Sequence, residues 1–470
     1  MTDRHVALVG FMGAGKSTLA WQAAQQTGRG YVDVDSDLEG LIGPIAAYFD
    51  EHGEPAFRAV EEVAVTEALL RSAPSIVALG GGAVTSAATR ELLAERAITV
   101  WLDADLETCW ERARTSDRPL ARDRAEFERL YAERRPLYAD VADAVARDVH
   151  DIVLAAAGVH VKRGAIQHLG ELVPGDGATA LVSDPHVAGI HGMDAQLALG
   201  SRLAETHELP PGEEAKTLAT LERLWQDLHL DRGGTIVALG GGCTTDAAGF
   251  AAAAYLRGIA WTPVPTSLVA QVDAAIGGKT AIDLPQGKNL VGAFHWPRRT
   301  VIDPALLETL PEPQRLEGMA EVVKTGLLAG EPLWELPGGE LVRRCAAFKA
   351  AICLRDPLER GERAILNLGH TFAHALEAAA GYEGLAHGRA VALGLLAALR
   401  LSGRDTQVVE DLLRPQPVQV DRERAWQAMH RDKKARGGEL RLVLLGADGP
   451  EHGVVVPEAD VRRELDRLIE

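Results

Sequence analysis

Cysteine is scarce in this chain. Four occur in 470 residues, Cys109, Cys243, Cys345 and Cys353, and no two form a CxxC pair. That scatter excludes a disulfide framework and a cysteine-built zinc site, and it suits a reducing, cytoplasmic setting. A basic excess is also missing: the net charge of −18 argues against a nucleic-acid partner. No apolar run is long enough for a bilayer. The longest, at 390–399, is interrupted by Gly394 and closed by Arg400, so no membrane partner is expected. No secretion signal is expected either, because a strand pattern begins at His5. No Pro/Ser-rich linker divides the chain. The junction at 148–158 is short and alanine-rich, which predicts closely coupled halves or a short connecting helix.

What is present is a hydrophobic fraction of 47%, ordinary for a globular protein, in a chain too long for one core. Two or three domains are expected. Near the start, His5-Val6-Ala7-Leu8-Val9 reads as a buried strand, and Ser17-Thr18-Leu19-Ala20 opens a helix. Between them residues 10–17 read Gly-Phe-Met-Gly-Ala-Gly-Lys-Ser, a phosphate-binding loop in its proper setting. Its backbone N–H groups and the helix N-terminus favour anionic oxygens. Gly13, Ala14, Gly15, Lys16, Ser17 and Thr18 are the candidate ATP contacts. Lys16 reaches the outer phosphates and the Ser17 hydroxyl is placed for Mg²⁺.

Alternating strand and helix patterns to about Asp151 predict α/β structure with a parallel sheet. Asp33 and Asp35 alternate at a strand end, which predicts that both point to one side. Arg58 opens a helix in Gly-Glu-Pro-Ala-Phe-Arg. Gly80, Gly81 and Gly82 end a strand, and Arg118-Pro119-Leu120 lies in an arginine-rich segment with Arg112, Arg114, Arg122 and Arg124. Such a segment is either a solvated face or a lid that carries a cation to the phosphoryl group.

The ordered set of phosphate loop, Asp-x-Asp, Phe-Arg, Gly-Gly-Gly and Arg-Pro-Leu resembles the shikimate kinase family over residues 4–150. The resemblance implies shikimate binding by Asp35, Arg58, Gly80, Gly81 and Gly82. It makes Arg118 the lid contact to ATP and sets Asp33 near Mg²⁺ and the attacking hydroxyl. The substrate-carboxylate arginine corresponds to Arg134, with Arg135 as the alternative. A carboxylate with vicinal hydroxyls needs fixed arginines and a carboxylate acceptor.

A second α/β segment begins near Val159, with strands at 159–161 and 180–183. The string Ile-Val-Ala-Leu-Gly-Gly-Gly occurs at 76–82 and again at 236–242, but the flanks differ, so it reads as one device used twice. Beyond Pro304 helices dominate, with a hairpin-like pair at 440–445 and 453–456. Lys279 and Lys288, nine residues apart and each beside glycine, suggest an anion gripped from a loop. Glu321 lies in a helical segment, His370 and His374 stand one turn apart, and His387 precedes Gly388. One carboxylate and two imidazoles would suit a catalytic zinc; histidines at such spacing are also common in plain cores and surfaces.

From residue 159 to 446 the chain resembles the 3-dehydroquinate synthase family, on 255–292 and the Glu321, His370, His387 set. The resemblance implies that those three ligate one divalent metal, Zn²⁺ or Co²⁺. It surrounds NAD with Asp184, Glu213, Lys216, Gly241, Gly242, Asp246, Thr266, Ser267, Lys279 and Lys288. It gives the heptulosonate phosphate substrate to Asp273, Lys279, Lys288, Asn289, Lys324, Lys349, Arg363, Asn367 and His374, with Lys279, Arg363 and His374 catalytic. Arg257 would reach a neighbouring subunit's substrate phosphate, which implies a homodimer, and Lys433 or Lys434 would hold the phosphate end. The region 401–424 is shorter than the family's usual length.

The expected architecture is α/β throughout. A P-loop kinase at 1–155 precedes an NAD-binding α/β subdomain at 156–303 and a mainly helical metal- and substrate-binding subdomain at 304–470. The expected function is a cytoplasmic two-activity enzyme of the shikimate pathway, acting on small-molecule substrates. Alternatives are a related sugar-phosphate cyclase in the second half, or one half as an inactive regulatory module. The intact Lys16, Glu321 and histidines oppose the second of these. An alcohol-dehydrogenase relative is opposed by the segment Gly-Gly-Lys-Thr-Ala-Ile-Asp.

Overall fold

The computed structural model describes residues 4–114, 120, 122–381, 384–435 and 440–470, with the backbone alone for 431–435. The chain divides into two compact units, Met1–Gly158 and Val159–Glu470.

In the first unit, β1 (His5–Val9), β2 (Gly30–Asp33), β3 (Ser75–Ala78), β4 (Ala97–Leu102) and β5 (Ala144–Ala146) form one sheet ordered β2-β3-β1-β4-β5. All four pairings are parallel. β1, β3 and β4 are buried along their whole length, which is why they read as continuous apolar runs and not as alternation. Parallel neighbours need crossovers, and the helices Lys16–Thr27, Ile45–Leu69 and Ala87–Arg96 supply them. The strand order reverses at β1, so the loops leaving β1 and β3 open onto the crevice where such sheets bind ligands. The helix Val149–Ala156 ends this unit, capped by Asp148, whose carboxylate accepts from the His150 N–H at 2.9 Å.

Asp33 and Asp35 do not share a strand. β2 ends at Asp33, whose carboxylate accepts from the Ser36 N–H at 3.3 Å and caps the helix Val34–Ile42. An aspartate that can cap ends the strand there, and Asp35 falls in the first helical turn.

In the second unit, β6 (Val159–Val161) precedes β7 (Thr179–Ser183), β8 (Leu203–Glu208), β9 (Thr235–Gly240) and β10 (Ala260–Pro265). The last four form a parallel sheet ordered β10-β9-β7-β8. One face packs on Leu221, Leu224, Ala247 and Ala251, the other on Ile166, Leu169 and Leu199. The order reverses between β7 and β9, which puts Asp184 and Gly241 at one crevice. The antiparallel hairpin β11 (Lys279–Leu284) and β12 (Gly287–Phe294) comes next, then β13 (Thr300–Ile302), which pairs in parallel with β6.

The remainder is helical. Glu312–Ala329, Gly338–Arg355, His370–Ala379 and His387–Leu401 share a core that includes Val323, Ile352, Leu368, Phe372, Leu376 and Leu393. The antiparallel pair β14 (Arg441–Leu445) and β15 (Pro450–Val455) and the helix Glu458–Arg467 complete it.

Candidate active sites

The phosphate loop of the first unit is built by left-handed glycines. Gly13 has φ +82°, and a Cβ there would overlap the Cys109 carbonyl. Gly15, at φ 96°, caps the helix Lys16–Thr27 without a side chain in the way. Ala14 is buried, while Ser17 and Thr18 stand exposed in the first turn. Lys16 is buried and folds back, donating to the Gly10 carbonyl at 2.8 Å and the Phe11 carbonyl at 3.1 Å. Arg112 reaches the Gly13 carbonyl at 3.4 Å, so one residue of the arginine-rich segment lies against the loop. Arg118 lies outside the described residues.

Beside the loop is a cavity of about 720 Å³ lined by Asp35, Arg58, Glu61, Gly80–Gly82 and Arg134, among others. Arg58 pairs with Glu61 at 2.5 Å and Glu54 at 3.0 Å. Arg134 is 5% exposed and approaches the Gly81 carbonyl at 3.5 Å. Burial, then the nearby Arg58 charge, lowers its pKa. Arg135 instead faces solvent on Asp103 at 2.7 Å, so the structure puts Arg134 in the cavity and Arg135 outside it. Glu61 belongs to none of the motifs. It is 2% exposed, and burial raises its pKa against the pull of Arg58. Its one signal in the sequence is its position three residues after Arg58 on a helix. Asp33, engaged as a cap, does not line the cavity.

In the second unit Glu321, His370 and His387 each offer a ligand atom, all within 4.8 Å of one another. Three helices bring them together. A Cβ at Gly388 would overlap the Glu317 backbone, so glycine lets the His387 helix close on the one that carries Glu321. The His370 ring Nδ1 donates to the Leu368 carbonyl at 3.2 Å, which turns Nε2 to Glu321 at 3.5 Å. The Nε2 of His387 lies 3.3 Å from Glu321. Burial alone would lower the His387 pKa, but the carboxylates of Glu321 and Glu377 raise it to about 10. A carboxylate and two imidazoles fit a divalent metal such as zinc or cobalt.

Around this cluster stand buried cations. Lys324 pairs with Glu321 and lies 4.0 Å from Asp273, and Lys349 grips Asp273 at 2.6 Å. Arg363 is 1% exposed and donates to the Pro357 carbonyl at 3.0 Å. Lys279, which is exposed, pairs with Glu359, which also accepts from Asn367 at 3.3 Å. Glu359 carries no signal in the sequence; its backbone is left-handed at φ 53°. His374 is exposed, one turn from His370.

A second charged group contains Lys216, Glu213, Asp246, Lys288 and Asn289. Lys216 meets Asp246 at 3.0 Å and Asp283 at 3.7 Å, and donates to Asn289. Lys288 pairs with Glu213 at 2.6 Å. Gly241 caps the helix Gly242–Ala254, within 3.5 Å of the Ser267 hydroxyl for a Cβ built on it. The Thr266 N–H bonds the Gly240 carbonyl at 3.0 Å. Asp184 caps the short turn after β7 at 3.0 Å. Arg257 stands exposed on a turn in which Leu256 and Arg257 have φ of 50° and 69°. The side chains of Lys433 and Lys434 lie outside the described residues.

A family model described as shikimate kinase matches residues 12–157. Models for 3-dehydroquinate synthase, N-terminal and C-terminal, match 206–317 and 318–435. The 3-dehydroquinate synthase of Bordetella pertussis is 40% identical over 342 residues, covering 66% of this chain and 95% of that protein. The solved structure of 2-deoxy-scyllo-inosose synthase with carbaglucose-6-phosphate, NAD⁺ and Co²⁺ is 27% identical, with a TM-score of 0.59 over 66% of this chain and 96% of its own. That of 2-epi-5-epi-valiolone synthase from Streptomyces hygroscopicus, with NAD⁺ and Zn²⁺, is 25% identical, with a TM-score of 0.57 and the same coverage.

Fold and sites together define an enzyme in which a P-loop kinase precedes a synthase of the α/β plus helical kind. The chain belongs to the 3-dehydroquinate synthase family through its second unit, with a shikimate kinase domain as its first. Both assign it to the shikimate pathway. Among the described residues no helix is long and apolar enough to cross a membrane.

Proposed function

We propose that the first unit transfers a phosphoryl group from ATP, with Mg²⁺, to the 3-hydroxyl of shikimate. We propose that the second converts 3-deoxy-arabino-heptulosonate 7-phosphate to 3-dehydroquinate and phosphate. The observation that carries the kinase reading is the juxtaposition of Arg58, Arg134 and Asp35 in one cavity beside the phosphate loop. The two guanidiniums suit the carboxylate and Asp35 suits a hydroxyl. Lys16 and the loop N–H groups hold the phosphates, and Ser17 would hold Mg²⁺. The rest is positioning and charge neutralisation.

The synthase reading rests on the convergence of Glu321, His370 and His387 within a ring of Lys324, Lys349 and Asp273. The three ligands would hold Zn²⁺ or Co²⁺, while Gly241, Gly242, Asp184 and the Glu213–Lys216 group would hold NAD. Those two groups, when bound, supply hydroxyl acidification and reversible hydride storage. The chain's own part is recognition of a substrate with an anionic group at each end, a carboxylate and a phosphate. Lys279, Arg363, Lys349 and Lys324 supply cations from several elements, and Asn289, Asn367 and His374 supply polar contacts. A cyclase of another sugar phosphate is the weaker reading, since identity is 40% to the synthase but 27% to the solved cyclase.

The expected assembly is a homodimer through the second unit. Its support is Arg257, exposed on a strained left-handed turn and suited to reach a second subunit. Purified chain should release phosphate from the heptulosonate phosphate only with NAD and a divalent metal. It should phosphorylate shikimate only with ATP and Mg²⁺. Absence of either activity overturns that half. Sedimentation as a monomer overturns the dimer.

A further inference from the structure

Glu377 belongs to neither binding set, yet it is 3% exposed and its carboxylate meets His387, one of the three candidate ligands. It lies on the helix His370–Ala379, seven residues after His370 and three after His374. That spacing sets all three on one helical stripe. Its Oε1 is 3.3 Å from the Nδ1 of His387, whose Nε2 faces Glu321 at 3.3 Å. A carboxylate only accepts, so Glu377 holds a proton on Nδ1, and Nε2, on the Glu321 side, is the nitrogen left to ligate when a metal takes the place of its proton. Lys288 lies 4.0 Å from the same carboxylate and 2.6 Å from Glu213, which ties Glu377 to the other charged group. His370 is oriented by a backbone carbonyl, which no side-chain change can remove. His387 is oriented by the Glu377 side chain, and its ring is more open to solvent, at 37% exposure against 11%.

We infer that Glu377 is the positioning residue for the metal site: it fixes the tautomer and ring orientation of His387, and through Lys288 it joins the metal ligands to the Glu213–Lys216 group. This rests on reading Glu321, His370 and His387 as metal ligands. Outer carboxylates on ligating histidines set metal affinity by about 10- to 100-fold.

The test is Co²⁺ titration of the full chain, followed by visible absorption and by competition with a chelator. Glu377→Ala should weaken Co²⁺ by about 10- to 100-fold. Glu377→Gln keeps an acceptor oxygen without the charge, and should recover part of that loss. Thermal unfolding of the metal-free proteins controls for folding; if the alanine variant does not fold, the glutamine variant decides, with weakening of roughly 3-fold or more expected. Co²⁺ affinity equal to wild type in both variants overturns the role of Glu377. A wild-type chain that takes up no Co²⁺ overturns the metal reading itself.

Discussion

Glu61 falls in no motif, yet it is the one buried carboxylate among the described residues of the first unit. It holds Arg58 at 2.5 Å while Asp35 lines the same cavity. Glu61→Ala should cost about 2 kcal/mol, the worth of a charged hydrogen bond, and should raise KM for shikimate as Arg58 is drawn over to Glu54, its remaining partner. Denaturant unfolding and steady-state kinetics check this; unchanged KM removes Glu61 from the site. A second case is His160 in β6. Burial, then the charges of Arg299 and Lys162, lower its pKa to about 4. The unfolded imidazole takes its proton near pH 6.5 and the folded one only near 4, so stability falls as pH drops through that window. The loss is about 3 kcal/mol at the bottom of the window. His160→Asn should flatten this part of the profile, and an unaltered slope in the variant refutes it. Lys16, Arg58 and Glu321 are legible in the sequence because loops and helices put chemistry at fixed spacings. Glu359 and Glu377 are not, because each acts by closing on a residue that only the fold brings near, and Glu61 shows in the sequence only as the i,i+3 neighbour of Arg58.

Elements explain where reading the chain succeeds and where it fails. β1 and β6 match the apolar runs residue for residue. Asp33-Val34-Asp35 has the look of strand alternation, but a capping carboxylate ends the strand. The repeated Ile-Val-Ala-Leu-Gly-Gly-Gly shows how far local sequence reaches. Both copies make a buried parallel strand, β3 and β9. The first strand stops at Ala78, before a 3₁₀ turn, and the second runs to Gly240 and enters a long helix at once. The residues after the glycines, not the shared string, decide the element. Gly388 makes a sharper case. Its closeness to the Glu317 backbone lets the His387 helix approach Glu321. Gly388→Ala should lower stability by about 1–3 kcal/mol, as overpacking does. It should also weaken Co²⁺ binding, because His387 moves with the helix. Melting and metal titration check both; full Co²⁺ affinity with lowered stability separates packing from ligand placement.

At the scale of the whole molecule, the chain carries two compact units with two kinds of chemistry. The first has a phosphate loop and, beside it, a cavity lined by Asp35, Arg58 and Arg134. The second has Glu321, His370 and His387 grouped near buried lysines, and a glycine-capped helix. On the proposed reading the two reactions are separated by other steps of the pathway, so direct transfer of a product between the sites is not expected. Composition indicates part of this scale: the length calls for more than one domain, and the net charge of −18 argues against a nucleic-acid partner. The identity of each substrate needs the family resemblance, since a cavity or a lysine cluster alone gives only charge and size. The two sites should fail independently. Paired assays on Lys16→Ala and Glu321→Ala, made in the full chain, measure this directly. Lys16→Ala should lower shikimate phosphorylation by at least about 100-fold, the scale of losing one fixed charge donor, and leave phosphate release from the heptulosonate phosphate intact. Glu321→Ala should do the reverse. Loss of both activities from either change, in protein that remains folded, would mean the sites are not separate.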